Sequence, residues 1–369
     1  MINVIYGAGV VGEAIYYACR DKGITILCFC DDDTSRMGDM SCCLDILSID
    51  DVLKAHENIN FIIAIHEIKH IVPLIPDTCT TTDCVEFLEE FNIYDYTFSK
   101  PWDFVTEAIN TCISCHKACK HPDKLFIRSV DFVITEKCSL RCADCSNLMQ
   151  YYNSPCTYDT DFLCDSIDKL CDLVDEIHEL RIIGGEPLIH KHHSIIVSKA
   201  LSKKNINRVI IFTNGTITIS DEKILAYKSD KVIFVITDYG DLSKQIDSLI
   251  KTLKDNDIAY YVSPVGGWTN CAKIVTHTNG FELFQKCCAK NLFTLLKHSL
   301  YRCPFAANAI NLGLIDKNVL DCCDISTATK SSIKHMIEVT NKNGLNACDH
   351  CLGRSYGDEE IEPAIQNER

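Results

Sequence analysis

Between Val130 and Val262 five short apolar runs, Val130–Ile134, Leu180–Ile183, Arg208–Phe212, Val232–Ile236 and Ala259–Val262, alternate with amphipathic stretches at Asp161–Ile177, Lys191–Lys203, Asp221–Lys228 and Leu242–Lys254. Short apolar runs read as strands and the longer stretches of 3.6-residue period as helices. Repeated βα units with short connections give an α/β fold with a parallel sheet, curled into a barrel or part of one. In such a sheet the functional groups gather at the carboxyl ends of the strands.

The chain has 369 residues, which exceeds the usual single-domain size and points to two or three separate cores. Its hydrophobic fraction of 47% and charged fraction of 24% are ordinary globular values, with no low-complexity run. No apolar stretch approaches the roughly 20 residues needed to span a bilayer, and no signal-peptide pattern follows Met1, so the expectation is a cytoplasmic protein with no membrane partner. A net charge of −15 repels phosphate backbones and argues against a nucleic acid partner. Cysteine is the outlier. A count of 24 in a chain of this size reads as metal or redox chemistry, with the remainder packing as small hydrophobes.

The sharpest chemical motif is Cys138-Ser-Leu-Arg-Cys142-Ala-Asp-Cys145, directly after the strand VDFVIT. Three thiolates on one tight loop can hold three irons of a [4Fe-4S] cube and leave the fourth open, whereas a structural zinc wants four closed ligands. After the next strand comes Gly184-Gly185-Glu186-Pro187, and the third strand closes with Thr213-Asn214-Gly215. The glycines let the main chain approach a ligand closely, and Glu186 can pair with an ammonium. Asp238 and Tyr239, after the fourth strand, face the same rim.

These motifs resemble the radical S-adenosylmethionine (SAM) superfamily from about Val130 onward. The resemblance implies a [4Fe-4S] cluster on Cys138, Cys142 and Cys145, and SAM bound at the open iron. It further implies SAM contacts from Gly184, Gly185, Glu186, Pro187, Thr213, Asn214 and Asp238, and a 5′-deoxyadenosyl radical that abstracts hydrogen from the substrate. The family often has an aromatic residue before the third cysteine, and this chain has Asp144.

After Phe281 the alternation fades into a cysteine-bearing tail with Cys287-Cys288, His298, Cys303 and a late Cys348-Asp-His-Cys351. This is similar to the Twitch and SPASM extensions of the same superfamily, which implies an auxiliary [4Fe-4S] cluster on Cys303, Cys348, Cys351 and Cys287. Cys288, Cys322 and Cys323 compete for the fourth place. His298 stands where the family has a glycine. Four thiolates suit zinc equally well by softness and count. If all four close on a cluster, it serves electron transfer rather than substrate binding.

Two further features precede the repeats. Cys112, Cys115 and Cys119 with His116 and His121 could hold a metal or stay reduced. At the start, Gly7-Ala-Gly9-Val-Val-Gly12 follows the strand INVIY, with Asp31 at the end of the next strand. That arrangement suits a tight turn, a pyrophosphate on a helix N-terminus and an acid on a ribose hydroxyl, so a nucleotide or NAD(P) is a candidate occupant. About 100 residues make only half a dinucleotide fold, which leaves a docking role for an empty site.

The expectation is therefore a Rossmann-like domain over 1–100, a cysteine-containing linker over 101–129, a partial (β/α)6 radical SAM barrel over 130–280 and a small cysteine-rich auxiliary cluster domain over 281–369. The favoured substrate is a sugar, nucleotide-sugar or aminocyclitol, dehydrogenated or epimerised, with a reductant such as flavodoxin or ferredoxin. No motif assigns a catalytic residue. The rival readings are a peptide-modifying maturase and a non-catalytic module binding nucleotide and zinc.

Overall fold

A computed structural model describes residues 1–33, 36–66, 68–266, 268–355 and 358–367. The chain divides into two units, Met1–Lys124 and Leu125–Arg369.

The first unit opens with β1 (Ile2–Tyr6), α1 (Val10–Asp21) and β2 (Ile26–Cys30), the βαβ unit expected of INVIY and the glycine turn. The hairpin of β3 (Met40–Ser41) and β4 (Leu44–Leu47), then α2 (Ile49–Ala55), β5 (Ile59–Ile63), α3 (Ile68–Ile71), β6 (Thr80–Asp83), α4 (Val85–Leu88) and α5 (Trp102–Cys119) complete it. The sheet order is β3-β4-β2-β1-β5-β6, and every pairing but β3 with β4 is parallel. The order therefore reverses at β1, a topological switch point with the crevice of a doubly wound fold. Helix α4 starts where the Asp83 carboxylate accepts the Val85 N–H and begins a helical turn. Residues 102–119, expected as linker, form the single helix α5.

The second unit runs β7 (Phe126–Val133), α6 (Thr160–Leu173), β8 (Glu176–Ile183), α7 (His193–Leu201), β9 (Ile206–Thr213), α8 (Asp221–Ile224), β10 (Val232–Asp238), α9 (Ile246–Asp255) and β11 (Ala259–Pro264). It continues through β12 (Trp268–Thr269), α10 (Gly280–Lys286), β13 (Leu292–Leu296), β14 (Ser299–Tyr301), α11 (Pro304–Asn311), β15 (Cys322–Asp324), α12 (Lys330–Asn343) and β16 (Glu360–Ile361). The five strands β7 to β11 pair in parallel in chain order, as the alternating pattern requires. The sixth parallel strand is β13, and it joins the sheet beside β7 instead of β11, so the sheet reads β11-β10-β9-β8-β7-β13-β14-β15. This is the open α/β sheet of a partial barrel with six parallel strands. Its core is built from Val130, Phe132, Leu180, Ile182, Val209, Ile211, Phe234 and Ile236, all essentially without exposure, packed on α6, α7 and α9.

The β13–β14 hairpin turns through Lys297 and His298, both with left-handed φ of 50° and 59°. No glycine is present, and the strain is offset by packing: the His298 ring stacks on Phe162 at 4.0 Å and lies 3.2 Å from the Asp165 carboxylate. Among the described residues no helix is long and apolar enough to cross a membrane.

Candidate functional site

Strand β7 delivers the chain to Cys138, and the loop that follows places Cys138, Cys142 and Cys145 on the wall of one cavity of about 1010 Å³. The same cavity is lined by Gly184, Gly185, Thr213, Asn214, Tyr239 and Trp268, and by Asp131, Arg181 and Phe212 from the strands. The carboxyl ends of β7 to β10 therefore converge on the thiols, as a parallel sheet demands.

The glycines of GGEP are explained by the cysteine loop. A Cβ at Gly184 would stand 2.2 Å from the Thr135 carbonyl, and one at Gly185 would stand 2.4 Å from that of Lys137 and 2.6 Å from Cys138 Cβ. The segments are joined by the Gly185 N–H to Thr135 O bond (3.1 Å) and the Glu186 N–H to Lys137 O bond (2.9 Å). Glu186 itself turns inward. Its carboxylate has no exposure and accepts from Leu188 N–H (3.0 Å), Thr213 Oγ1 (3.0 Å to each oxygen) and Asn214 N–H (2.8 Å). Burial pushes this carboxyl up to about 7. Glu186 thus fastens GGEP to TNG, and neither it nor Pro187 lines the cavity. Asp238 does not line it either and accepts the Gly240 N–H at 2.8 Å, whereas Tyr239 does.

Asn214 reaches the thiols directly, with Nδ2 3.7 Å from Cys138 Sγ and 3.1 Å from Ser139 Oγ. Burial pushes the Cys138 and Cys145 thiols up to about 12 and about 11. The C-terminal segment closes over the loop: Ala143 N–H donates to Ile365 O (2.7 Å), Asn367 N–H to Arg141 O (2.8 Å), and Gln366 Nε2 to Cys142 Sγ (3.2 Å).

A second cavity of about 730 Å³ is lined by Cys287, Cys303, Cys348 and Cys351, together with Cys271. Cys287 rather than Cys288 reaches it, since α10 ends at Lys286 and turns the first thiol inward. Cys322 and Cys323 belong to β15 and stay away. Backbone donors already point at the sulfurs: Ala289 N–H at Cys287 (3.4 Å), Ala306 N–H at Cys303 (3.3 Å) and Gly353 N–H at Cys351 (3.3 Å). Burial pushes Cys348 and Cys351 up to about 12.

Tetrahedral zinc with bonds of about 2.3 Å brings its sulfurs to about 3.8 Å from one another. Among the described residues, neither cavity has three cysteine donors within 4.8 Å of one another.

In the first unit Gly7 has φ +110°, and a Cβ on Gly12 would stand 2.1 Å from Gly7 O, so both glycines are required for α1 to start against β1. Gly9 is the residue before α1 and is open to its surroundings. Asp31 Oδ2 accepts the Ala8 N–H (2.8 Å) while Arg36 holds Ala8 O (3.0 Å) and faces Asp31 (3.6 Å). The acid expected on a ribose therefore braces the glycine loop. Cys112 and His116 share one buried face of α5, with Cys115 nearby; Cys119 is half-buried.

Sequence reasoning missed Cys271, Trp268, Gln366 and the pair Asp131–Arg181. The pair left no distinct signal, because β7 and β8 carry other charged residues, among them Arg128, Glu176 and Glu179. Arg181 Nε lies 3.0 Å from Asp131 Oδ1, and its guanidinium sits 4.3 Å over the Phe212 ring.

Residues 127–254 match the family of 4Fe-4S single cluster domains. Over 146 residues the chain is 27% identical to a GTP 3′,8-cyclase of Clostridium acetobutylicum, an alignment that covers 35% of this chain and 45% of the cyclase. The chain therefore spans about half the length of that curated relative. Among solved structures, BtrN in complex with AdoMet and 2-DOIA is 15% identical, covering 64% of this chain and 97% of that one at a TM-score of 0.42. The enzyme anSMEcpe with bound AdoMet is 11% identical over 65% of this chain and 92% of that one, also at 0.42.

Proposed function

We propose that the chain is a radical SAM enzyme that abstracts hydrogen from a sugar, nucleotide-sugar or aminocyclitol, in a dehydrogenation or an epimerisation, a reading supported by its cysteine loop and its match to 4Fe-4S single cluster domains. The observation that carries this reading is the one cavity shared by three thiols, the Gly184–Gly185 backbone and the Asp131–Arg181 pair. Cys138, Cys142 and Cys145 would hold a [4Fe-4S] cluster with one open iron for SAM. When bound and reduced, the cluster supplies the electron that cleaves SAM and so generates the hydrogen-abstracting radical.

The chain's own residues bind, orient and exclude water. The Gly184–Gly185 backbone and the Asn214 amide lie beside Cys138, where the polar end of SAM belongs. Tyr239 and Trp268, in edge contact at 6.1 Å, offer the aromatic surface that Asp144 does not. Arg181 is held flat by Phe212 and tethered by Asp131, leaving guanidinium donors for hydroxyl or phosphate oxygens of a substrate. Cys287, Cys303, Cys348 and Cys351 would close an auxiliary [4Fe-4S] cluster, and full thiolate ligation suits electron transfer, which favours dehydrogenation. A flavodoxin or ferredoxin would deliver the reducing electron. In the first unit, the crevice at Gly7, Gly9 and Gly12 would take a nucleotide or NAD(P), with Asp31 bracing the loop.

The test is iron and sulfide content after anaerobic reconstitution, with deuterium transfer from labelled sugars, nucleotide-sugars and aminocyclitols into 5′-deoxyadenosine. We expect about eight irons per chain, about four in Cys138→Ala/Cys142→Ala/Cys145→Ala with SAM cleavage lost, and about four in Cys303→Ser with SAM cleavage retained. Zinc in place of iron would refute the reading, and deuterium arriving only from peptides would refute the substrate class.

A further inference from the structure

One buried cluster of the first unit is used by neither cavity. Cys84 follows the last residue of β6, and Cys112 and His116 sit one turn apart on the same face of α5. The two sulfurs are 3.5 Å apart, and one donor atom from each of the three residues lies within 4.8 Å of the others. Cys84 and His116 have no exposure and Cys112 has 1%.

That spacing alone would admit a single soft metal ion, but the histidine argues against it. His116 Nε2 lies 2.8 Å from the Ile65 carbonyl, and Nδ1 lies 2.8 Å from the Asp83 carboxylate, which also takes Lys120 Nζ at 2.8 Å. A carbonyl only accepts, and the ionised Asp83 only accepts, so both ring nitrogens carry protons and no lone pair remains for a metal. The ring is a cation, and a cation beside a thiol stabilises the thiolate.

We propose that Cys84 and Cys112 form a peroxide-oxidisable dithiol, with Cys84 as the nucleophile and Cys112 as the resolving thiol. In the first step the Cys84 thiolate attacks hydrogen peroxide: an S–O bond forms, the O–O bond breaks, and the departing hydroxide is protonated to water, leaving a sulfenic acid. In the second step Cys112 attacks that sulfur: the S–S bond forms, the S–O bond breaks, and the hydroxide leaves with the Cys112 proton as water. Two thiols lose two electrons in all, and one peroxide becomes two waters. The hydrogen bond from Cys112, helped by His116, lowers the Cys84 thiol against the opposing effect of burial, and Cys84 raises His116 against the same effect. Cys19 is equally buried without such a neighbourhood, and burial pushes it up to about 12.

Cys19 and Cys30 supply the internal control, because both have no exposure and differ from Cys84 in the charge beside them. The full-length protein is exposed to graded hydrogen peroxide, and each thiol is followed by differential alkylation and mass spectrometry. We expect Cys84 and Cys112 to disappear together, at least about tenfold faster than Cys19 and Cys30, and to return with dithiothreitol. In Cys112→Ser, Cys84 is expected to stall as a sulfenic acid trapped by dimedone; Cys112→Ala replaces that variant if it does not fold. Oxidation of Cys84 no faster than that of Cys19 and Cys30, or absence of the dimedone adduct in a folded variant, overturns the proposal. So does one zinc per chain that is lost in Cys84→Ser.

Discussion

Gly185→Ala tests whether the GGEP segment exists to clamp the cysteine loop. The new Cβ would stand 2.4 Å from Lys137 O and 2.6 Å from Cys138 Cβ. Non-bonded carbons and oxygens rest near about 3.5 Å, so the two segments must part by about 1 Å. Both atoms met are main-chain or Cβ, and neither can swing aside. Parting by that amount takes the Gly185 N–H to Thr135 O bond, 3.1 Å, and the Glu186 N–H to Lys137 O bond, 2.9 Å, out of hydrogen-bond range. Two such bonds are worth about 1 kcal/mol each, and overpacking adds about 1–3 kcal/mol, for a loss of about 3–5 kcal/mol. In a unit of this size each kcal/mol lowers Tm by roughly 2–4 °C, so the fall should be about 6–20 °C. Cys138 moves with the loop, and the iron content should drop by about one cluster. The assay is an anaerobic thermal melt with iron determination, with Gly266→Ala as the control because nothing lies within 4 Å of its Cβ position. A Gly185→Ala protein that melts within 2 °C of the control and keeps all its iron would refute the clamp.

Two other perturbations follow from the same geometry. Gln366 donates to Cys142 Sγ at 3.2 Å and accepts the Arg141 N–H at 2.7 Å, and a hydrogen bond to a cluster thiolate favours the reduced state. Gln366→Leu should therefore keep its iron but require a more negative potential for reduction in an EPR-monitored titration; an unchanged potential would sink the idea. Burial pushes Asp131 up to about 6, above its unfolded value, so the native state holds that proton more tightly. The corresponding stability, about 3 kcal/mol at most, is present below about pH 4 and is lost as pH rises through about 6. Asp131→Asn lacks the titrating group, so the wild-type minus variant stability measured by urea unfolding should fall between about pH 4 and 6, and parallel curves would count against it.

The parts of the fold legible in the sequence are those enforced by local chemistry. Period and strand length mark β7 to β11, and fixed spacing marks Cys138, Cys142 and Cys145, because a loop of eight residues cannot separate its thiols widely. Partners distant in the chain leave no such mark. Gln366 meets Cys142 across 224 residues, and Cys271 lies far from any cysteine that would give it a recognisable spacing, yet it faces the second cavity. The sixth parallel strand shows the same limit. An open parallel sheet has two edges, and hydropathy does not distinguish β13 beside β7 from β13 beside β11. The tail chooses by what must follow: pairing with β7 brings Pro304, next to Cys303, onto the wall of the first cavity, so that Ser146, Leu292, Pro304 and Arg354 line both cavities at once. Glu186 makes the complementary point. Its type and position suit a ligand to an ammonium, but Thr213 and Asn214 reach its oxygens first, and a carboxylate with four internal donor contacts serves the scaffold. Residue type indicates which chemistry is available at a position, and the competition among neighbours decides which partner receives it.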